Sequence, residues 1–494
     1  MNGAEVVMGA LRQAGARCMF GVPGGGSSLD LMAAARANGM PFHHARTETG
    51  AAIMAGAMAE LTGAPCPVLT TRGPGVSAAA NGLAHASLDR APVVLLADGF
   101  TGRERAFACH QFFDHAQMMA PLTKAQLRAD GAAGLAVHAA LHAALTPPLG
   151  PVLLEVTGEA ARAESTPAPS FTRAPPRAPD GAALASALAL LAEARRPVII
   201  AGLEAVPATG ALRALAARLG CPVLVTYKAK GVVADAHPQF GGVFTGGAAE
   251  APLLAQADLI ILAGADPVEF ISQPWRYKAP VIDIASVPRQ PHYFAAEAAL
   301  HGDVGLALAA LSGPPSAWTA AEMAGARATW AASLSNGPSG GNRGICPQAV
   351  VELAQAACRQ AGRHPRVSVD AGAHMFPATT FWQAEEPGDL LISNGLASMG
   401  FALPAGIAAA LFDPARGALA FTGDGGLLMC MGELAMAAAL GVNLTVVVFN
   451  DATLSLIDIK KGERALPEGG LDWPMVDFAA VMRGCGGIAL RADD

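Results

Sequence analysis

The amino-acid sequence predicts an α/β protein whose parallel β-sheets are covered by helices. Short aliphatic runs recur between alanine-rich stretches of helical length, and these runs are apolar throughout instead of alternating with polar residues. Such strands are typical of parallel sheets that are buried on both faces. Apolar residues make up 52% of the 494-residue chain and charged residues 15%, a composition that allows a large interior. The length favours roughly two to four domains.

Two segments without strand or helix periodicity divide the chain. Residues 160–179 are rich in Pro, Arg and Ser, and residues 312–347 contain Gly-Pro-Pro and Pro-Ser-Gly-Gly on either side of one helical stretch. They predict three α/β domains, over residues 1–165, 170–335 and 340–494. The predicted buried strands lie at residues 67–70, 93–96, 152–155, 198–201, 259–262, 281–283 and 445–448.

Composition argues against several kinds of protein. The net charge is −7 and no basic cluster is present, so we expect no nucleic-acid partner. Residues 390–412 carry no charge, but their Asn, Pro and Gly residues favour a buried strand, turn and helix over a membrane span. The first 22 residues lack the pattern of a signal peptide. Eight cysteines without a CxxC pair fit a reducing compartment, and we expect a cytoplasmic protein.

The strongest local signal surrounds Asp424. A predicted strand at residues 418–422 leads into Gly-Asp-Gly-Gly, and a predicted helix follows at residues 431–440. The next predicted strand ends just before Asp451. Both aspartates would therefore stand at the carboxyl ends of parallel strands, where open α/β sheets bind ligands.

Asp424 and Asp451 suit a diphosphate held by a divalent cation. The glycines beside Asp424 let backbone N–H groups approach a phosphate, helped by the N-terminus of the following helix. Mg²⁺ prefers oxygen ligands, commonly one or two carboxylates together with phosphate oxygens. A turn aspartate and a strand-end Asx turn would explain the same residues without a ligand, and the residue types alone leave both interpretations open.

The spacing of these residues resembles the signature of thiamine-diphosphate-dependent enzymes of the acetolactate synthase and benzoylformate decarboxylase type. In that signature Gly-Asp-Gly is followed, 27 positions on and after an aliphatic strand, by Asn or Asp. The resemblance implies that Mg²⁺ is held by Asp424, the side chain of Asp451 and the carbonyl of Thr453. Asp451 stands where the family usually has Asn, which puts the affinity for the anionic cofactor in doubt. The resemblance also implies cofactor contacts from Gly423, Gly425, Gly426, Leu454, Ser455 and Leu456.

Glu48 supplies the other half of the resemblance. It follows Thr47 at the start of a predicted alanine-rich helix, where the helix dipole alone favours an acidic residue. In the family the matching glutamate bonds the pyrimidine N1′ and promotes the imino tautomer, whose 4′ nitrogen removes the thiazolium C2 proton to give an ylid. The resemblance therefore implies a catalytic role for Glu48. Burial among small apolar residues would raise its pKa, which suits proton exchange.

Three further segments match the family's cofactor contacts. Gly73 begins a Gly-Pro-Gly turn that resembles one on the pyrimidine-binding domain. Residues 395–401 resemble the segment that keeps the cofactor bent, which implies that Met399 props its two rings and that the Ala397 carbonyl accepts from the aminopyrimidine. A methionine in an apolar run is commonly a core residue, so the position carries this assignment. The glycine-rich loop at Gly25 looks like the loop that faces the thiazolium.

The substrate side rests on fewer residues. His110 and Gln111 resemble the position of the family's substrate-side glutamine, which implies a catalytic role for this pair. His43 and His44 could orient a 2-oxo acid in the same way. Each histidine also fits a surface position or a capped position in the core, and the sequence leaves both open.

The central segment departs from acetolactate synthases. Those enzymes carry a Gly-Ala-Arg segment ending in an arginine that recruits the acceptor 2-oxo acid, whereas Asp266 and Phe270 occupy the matching positions. Glu204 stands in the turn associated with flavin, where a carboxylate beside a flavin diphosphate is unfavourable. We therefore expect no FAD. Lys460 replaces an aromatic residue of the substrate pocket.

The sequence thus predicts a thiamine-diphosphate- and Mg²⁺-dependent enzyme that acts on a small 2-oxo acid. The three domains would be pyrimidine-binding, central and diphosphate-binding, and the sites would lie between the subunits of a homodimer or a dimer of dimers. Decarboxylation and carboligation both remain open, as does a true acetolactate synthase. A non-catalytic cofactor-binding homologue is the main alternative, although Glu48 and Asp424 argue against it. The sequence lacks the GxGxxG fingerprint that a nicotinamide-dependent oxidoreductase would carry after a strand.

Overall fold

A computed structural model describes residues 1–289, 293–335, 345–467 and 469–493 of the chain. It contains three parallel sheets with helices packed around them, so the predicted α/β class is confirmed. The predicted boundary between the second and third domains falls on residues 336–344, which lie outside the described residues, as does residue 494 at the end of the third domain. The domain boundaries themselves stay predictions.

The first sheet has six strands in the order β2-β1-β3-β4-β6-β5. These strands are β1 (Met19–Val22), β2 (Phe42–His44), β3 (Cys66–Thr70), β4 (Val93–Asp98), β5 (Gln126–Ala129) and β6 (Val152–Val156). Strand β4 is buried at every residue because both faces of the sheet are covered. The helices of this region are α1 (Gly3–Gln13), α2 (Ser27–Ala37), α3 (Glu48–Thr62), α4 (Pro74–Ala78), α5 (Ala80–Leu88), α6 (Gly102–Arg105), α7 (His115–Met119), α8 (Ala133–Leu145) and α9 (Gly158–Arg162).

The central sheet also has six strands, in the order β12-β11-β10-β7-β8-β9. They are β7 (Pro197–Ala201), β8 (Val223–Val225), β9 (Phe240–Val243), β10 (Leu259–Ala263), β11 (Val281–Ala285) and β12 (Ala298–His301). The α-helices are α10 (Gly181–Glu193), α11 (Thr209–Leu219), α12 (Ala251–Leu254), α13 (Val304–Ala310) and α14 (Ala320–Ser335), with 3₁₀ helices at Leu203–Ala208 and Pro267–Glu269. An aliphatic core surrounds β7 and β10.

The third sheet has four strands in the order β14-β13-β15-β16. They are β13 (Arg366–Val369), β14 (Leu390–Ile392), β15 (Ala418–Gly423) and β16 (Leu444–Phe449). The helices are α15 (Pro347–Gln360), α16 (Met375–Phe381), α17 (Ala402–Phe412), α18 (Asp424–Cys430), α19 (Glu433–Leu440), α20 (Ser455–Glu463) and α21 (Phe478–Gly484). The uncharged stretch at residues 390–412 forms β14 and α17, as predicted.

The predicted strands agree with the structure to within two residues at each end. The predicted helix at residues 431–440 corresponds to α19, which begins two residues later at Glu433, but the sequence missed a separate helix, α18, that begins at Asp424. The Asp424 carboxylate accepts the N–H of the next residue, Gly425, at 2.8 Å, which satisfies a donor in the first turn. Glycines that looked like a loop are therefore helical.

Chain contacts divide the molecule into two compact units. One comprises Met1–Ala174, Asp370–Ala373 and Gly395–Arg491, and the other comprises Pro175–Val369, His374–Asn394 and Ala492–Asp494. Every predicted cofactor residue lies in the first of these units. None of the helices in the described ranges is long and apolar enough to cross a membrane.

Candidate active site

Asp424 is held at the junction of β15 and α18. Its residue is only 2% exposed, and its carboxylate accepts the backbone N–H groups of Gly425, at 2.8 Å, and of Ala452, at 2.7 Å. The second bond ties the loop that follows β16 to the turn that follows β15. The two predicted metal-binding segments are therefore brought together by the chain itself.

Asp451 lies on the same loop, one residue before Ala452. Its side chain is exposed and accepts a hydrogen bond from the Ser455 hydroxyl at the start of α20. Burial raises the pKa of Asp424, and the negative charge of Asp451 raises it further. A carboxylate whose ionisation is opposed by burial and by a neighbouring negative charge marks a place where a cation would be stabilised.

Gly425 allows close packing at this point. A Cβ at Gly425 would lie 3.1 Å from the Trp473 ring, 3.3 Å from Leu454 and 3.3 Å from the Met399 methyl group. The predicted residues Met399 and Leu454 therefore meet beside the Gly-Asp-Gly turn. Trp473 was not predicted, and within the described part of the chain its buried indole nitrogen has no hydrogen-bond partner.

Backbone strain is concentrated in the predicted segments. Among the described residues, five non-glycine residues have a positive φ, and three of them are Gln111 (57°), Ala397 (53°) and Ala452 (60°). The left-handed region is costly for residues with a Cβ and persists where the surroundings impose it, often at functional sites. Ala397 is the residue whose carbonyl was predicted to face the aminopyrimidine, and that role stays a prediction.

Asp370, which the sequence did not single out, organises the segment around Met399. Its buried carboxylate accepts the N–H groups of Gly400 at 3.1 Å and Phe401 at 3.0 Å, and the Thr422 hydroxyl at 2.8 Å. Burial raises the pKa of Asp370 to about 6, against the lowering effect of these bonds. A Cβ at Gly426 would lie 2.2 Å from the same carboxylate, which explains the need for glycine there.

Glu48 is the first residue of α3. The Thr47 hydroxyl caps the helix by accepting the Gly50 N–H at 2.9 Å. Glu48 is half-buried, and this burial raises its pKa, as predicted from its small apolar neighbours. A Cβ at Gly75 would lie 3.2 Å from the Glu48 carboxylate, so the Gly-Pro-Gly turn lies directly beside it.

The Gly-Pro-Gly turn is fixed by a buried histidine. The Gly73 N–H donates to Nε2 of His115 at 3.0 Å, and Nδ1 of His115 lies 2.8 Å from the Glu155 carboxylate. Gly73 has φ 62°, and a Cβ there would lie 2.5 Å from the Gln111 carbonyl oxygen. Gln111 therefore lies against this turn. The side chains of Gln111 and His110 are both exposed.

The glycine-rich loop after β1 is organised by a different carboxylate. Asp98 accepts the Ser28 N–H at 2.9 Å and lies 2.5 Å from the Ser27 hydroxyl, at the start of α2. Cβ atoms at Gly24 and Gly26 would both approach Asp98 to within 3 Å, whereas one at Gly25 would meet nothing within 4 Å. Gly25 is thus exposed at the tip of the loop.

Comparison with known proteins tests the family resemblance. Models of the N-terminal, central and C-terminal domains of thiamine pyrophosphate enzymes match residues 1–118, 184–311 and 370–494. The chain belongs to the thiamine pyrophosphate enzyme family.

Curated relatives span nearly the whole chain. Acetolactate synthase of Bacillus subtilis is 28% identical, over 100% of this chain and 89% of its own length. A probable 2-ketoarginine decarboxylase of Pseudomonas aeruginosa is 28% identical over 100% of this chain and 90% of its own. Indole-3-pyruvate decarboxylase of Azospirillum brasilense is 28% identical over 98% and 90%. The predicted family resemblance is therefore confirmed.

In this thiamine pyrophosphate enzyme the predicted residues form two groups. The first contains Glu48, Gly73 and Gln111, and the second contains Asp424, Asp451 and the residues around Met399. Within the described residues no hydrogen bond or ion pair joins Glu48 to either aspartate. The Ser455 hydroxyl donates to Asp451, whereas the described contacts assign no role to Gly423, Thr453 or Leu456 beyond their place in the second group. All four assignments stay predictions.

Proposed function

We propose that the chain is a thiamine-diphosphate- and Mg²⁺-dependent enzyme that decarboxylates or ligates a 2-oxo acid. The observation that carries the proposal is the buried carboxylate of Asp424, which is joined to the Asp451 loop through the Ala452 N–H. It stands at a helix N-terminus beside glycines, and that arrangement suits a metal-bound diphosphate.

The residues fit a magnesium diphosphate. Asp424 and Asp451 offer carboxylate oxygens, and the Thr453 carbonyl follows on the same loop. In the described residues no group of three or more His, Cys, Asp or Glu side chains could hold a metal. The other ligands of the proposed site would be backbone and phosphate oxygens, as is usual for Mg²⁺. The raised pKa of Asp424 is the second support, since a cation would relieve the repulsion from Asp451.

Glu48 is proposed to hold a proton at the pyrimidine ring. When bound, thiamine diphosphate supplies a carbon nucleophile that attacks a carbonyl. The contribution of Glu48 is a carboxyl group whose pKa is raised by burial, so that it exchanges a proton more readily near neutral pH. Thr47 fixes its backbone through the helix cap, and Gly75 leaves room beside it.

The substrate class rests on the relatives. Their names describe one acetolactate synthase and two decarboxylases, acting on 2-ketoarginine and on indole-3-pyruvate. A 2-oxo acid is the substrate type that we extend to this chain. Gln111, beside Gly73, and the exposed His110 are proposed to face the substrate.

Acetolactate formation and flavin binding are not expected. Asp266 is buried, and its carboxylate caps a 3₁₀ helix by accepting the Val268 N–H at 3.1 Å. Because this residue is an acid, it offers no cation to the carboxylate of a second substrate molecule. Glu204 already accepts from the backbone and hydroxyl of Ser286 and lies 2.6 Å from the Arg289 guanidinium. The Arg289 guanidinium is therefore already paired with a carboxylate of the protein and is not available to a flavin diphosphate at this turn.

We further propose a cytoplasmic homodimer or dimer of dimers. All eight cysteines are free, which fits a reducing compartment. Two subunits per site follow from the family resemblance, in which the pyrimidine-binding and diphosphate-binding halves of one site come from different chains. Sedimentation at the concentration of the assay tests this: a fully active monomer would contradict it.

The direct test is incubation of the protein with Mg²⁺ and thiamine diphosphate, with and without FAD, and with a panel of 2-oxo acids. Products would be identified by mass spectrometry. We expect CO₂ or a 2-hydroxy-ketone from at least one acid, with no effect of FAD and little acetolactate from pyruvate. Failure of the protein to bind thiamine diphosphate in calorimetry, or binding that EDTA leaves unchanged, would contradict the proposal.

A further inference from the structure

Glu433, the first residue of α19, is fully buried although it is charged. Its carboxylate does not serve its own helix. It accepts the backbone N–H of Arg46 at 3.0 and 3.1 Å, the backbone N–H of Thr47 at 3.0 Å, and the Thr47 hydroxyl at 3.3 Å. A residue of the diphosphate-binding half thus binds the two residues that precede Glu48.

The bonds from Glu433 act on the part of α3 that sets the position of Glu48. Arg46 and Thr47 have no helical partners for their N–H groups, because they precede the helix. Thr47 also caps α3 through Gly50, so Glu433 and the cap hold the same residue from two sides. Bonds to a charged acceptor are stronger than those between neutral groups, and their strength increases where water is excluded.

Gly50 shows how closely Glu433 approaches α3. A Cβ at Gly50 would lie 2.5 Å from one Glu433 oxygen and 3.0 Å from the Thr47 hydroxyl. Any side chain at this position would therefore move the carboxylate. Burial raises the pKa of Glu433, against the lowering effect of the Arg46 and Thr47 bonds.

We propose that Glu433 is a positioning residue for Glu48: it fixes the backbone at Arg46 and Thr47 so that the Glu48 carboxylate meets the pyrimidine ring of the cofactor. The role rests on the proposed function, since it has meaning only if Glu48 activates thiamine diphosphate. Glu433 itself touches neither cofactor nor substrate in this role.

The test is a double-mutant cycle of Glu433→Gln and Glu48→Gln. The measured quantities are the dissociation constant of thiamine diphosphate with Mg²⁺, the hydrogen–deuterium exchange rate at C2 of the bound cofactor by quenched NMR, and the melting temperature of the cofactor-free protein. We expect Glu433→Gln to slow C2 exchange at least about tenfold while the dissociation constant changes less than about threefold. In the Glu48→Gln background it should slow exchange no further, because interacting residues are not additive.

Several outcomes would overturn the role. A C2 exchange rate in Glu433→Gln equal to that of the wild type would do so. Equal slowing of exchange by Glu433→Gln in the wild-type and Glu48→Gln backgrounds would also do so, because that is the result expected if Glu433 only stabilises the fold. If the wild-type protein binds no thiamine diphosphate, the proposed function fails and the role falls with it. Normal binding and slow exchange in Glu48→Gln, with an unaffected Glu433→Gln, would overturn the role alone.

A second pair of variants keeps the test informative if Glu433→Gln does not fold. Gly50→Ala leaves the charge in place but pushes the Glu433 carboxylate away, and it should slow C2 exchange in the same direction. Gly56→Ala is the matched control, because it lies on the same helix and its Cβ would meet the His85 ring, at 3.3 Å, and the Ala91 Cβ, at 4.0 Å. Slow exchange in Gly56→Ala as large as that in Gly50→Ala would contradict the role of Glu433.

Discussion

In the first sheet the strands follow the order β2-β1-β3-β4 before β6 and β5, and the third sheet repeats that order as β14-β13-β15-β16. The helices follow the same path, with α3 after β2 and α17 after β14. The chemistry nevertheless differs. The turn after β3 carries Arg72 ahead of Gly-Pro-Gly and no carboxylate, whereas the turn after β15 carries Asp424.

An aspartate stands at or just after the fourth strand of each of these two sheets, which allows a direct comparison. Asp98 ends β4, and Asp451 follows β16 by two residues. Asp98 is buried, and its Oδ1 accepts hydrogen bonds from Ser27 and Ser28 at the start of α2. Asp451 is exposed and accepts only from the Ser455 hydroxyl among the described contacts. The two aspartates thus differ in how many local donors already bind them, and this difference supports the proposed metal role of Asp451 and a structural role of Asp98.

Among the substitutions that test this comparison, we expect the largest effect at Asp424. Asp424→Ala should abolish Mg²⁺-dependent binding of thiamine diphosphate, raising its dissociation constant at least about a hundredfold, because a charged ligand and a buried acceptor are lost together. Calorimetry with Mg²⁺ measures the constant. Asp458→Ala, which removes an exposed carboxylate from α20, is the control. Retained affinity in Asp424→Ala would remove the metal assignment.

Glu48 tests the chemistry of the first sheet. Glu48→Gln keeps the size of the side chain but cannot exchange its proton, so C2 exchange should slow by roughly 10²–10⁴-fold. Cofactor affinity should change little, because the ring contact remains. Quenched NMR on the bound cofactor gives the rate. An unchanged rate would show that the first sheet contributes shape and no acid–base chemistry.

Asp370 directly follows β13 of the third sheet, whereas the loop after β1, at the corresponding place in the first sheet, consists of uncharged residues around Gly25. Because its folded pKa of about 6 lies above the ordinary value of 3.8, its contribution to stability is present below about pH 4 and is lost as the pH rises through 6. The loss is at most about 3 kcal/mol. Urea titrations measure the free energy of unfolding of the wild type and of Asp370→Asn. The difference between the two should therefore decrease as the pH rises from about 4 to about 6. A difference independent of pH would refute the titration.

Asp98 should behave as a structural residue. Asp98→Asn weakens the bonds to Ser27 and Ser28 and should reduce the free energy of unfolding by about 1.5–3 kcal/mol, the usual value of bonds to a charged group. The folded fraction should still bind thiamine diphosphate with the wild-type constant. Urea unfolding together with calorimetry separates the two effects. Lost binding at unchanged stability would mean that the two fourth-strand aspartates share a ligand role.

The sequence was sufficient for most of the fold, because strands that are apolar throughout report burial on both faces. It was insufficient where that burial is incomplete. The edge strand β5 has Gln126 and Arg128 in a half-buried run and gave no apolar signal. The helical start at Asp424 was also missed, since glycine-rich sequence favours turns until the Asp424 carboxylate satisfies the N–H group of its neighbour.

For the candidate site, motifs revealed the residues that are close in sequence to their partners. Asp424, Asp451 and Glu48 belong to such motifs. Asp370 and Glu433 do not, because their importance depends on partners far along the chain: 387 residues separate Glu433 from Arg46. A charged residue in an apolar stretch was the available signal at both positions, and it does not identify the partner.

The smallest expected effect concerns the departure from the family at Asp451. Asp451→Asn restores the usual amide, which still offers an oxygen to Mg²⁺ but removes one negative charge beside Asp424 and the diphosphate. The pKa of Asp424 should fall, because the charge of Asp451 helps to raise it. Since Asp451 is exposed and screened, the affinity for thiamine diphosphate at saturating Mg²⁺ should rise by only up to about fivefold.

Calorimetry at two salt concentrations measures this change in affinity, with Asp472→Asn as an exposed control. The gain should shrink at high salt. A fall in affinity of about tenfold would mean that the Asp451 charge is needed to hold the metal, and that the third sheet depends on both of its aspartates.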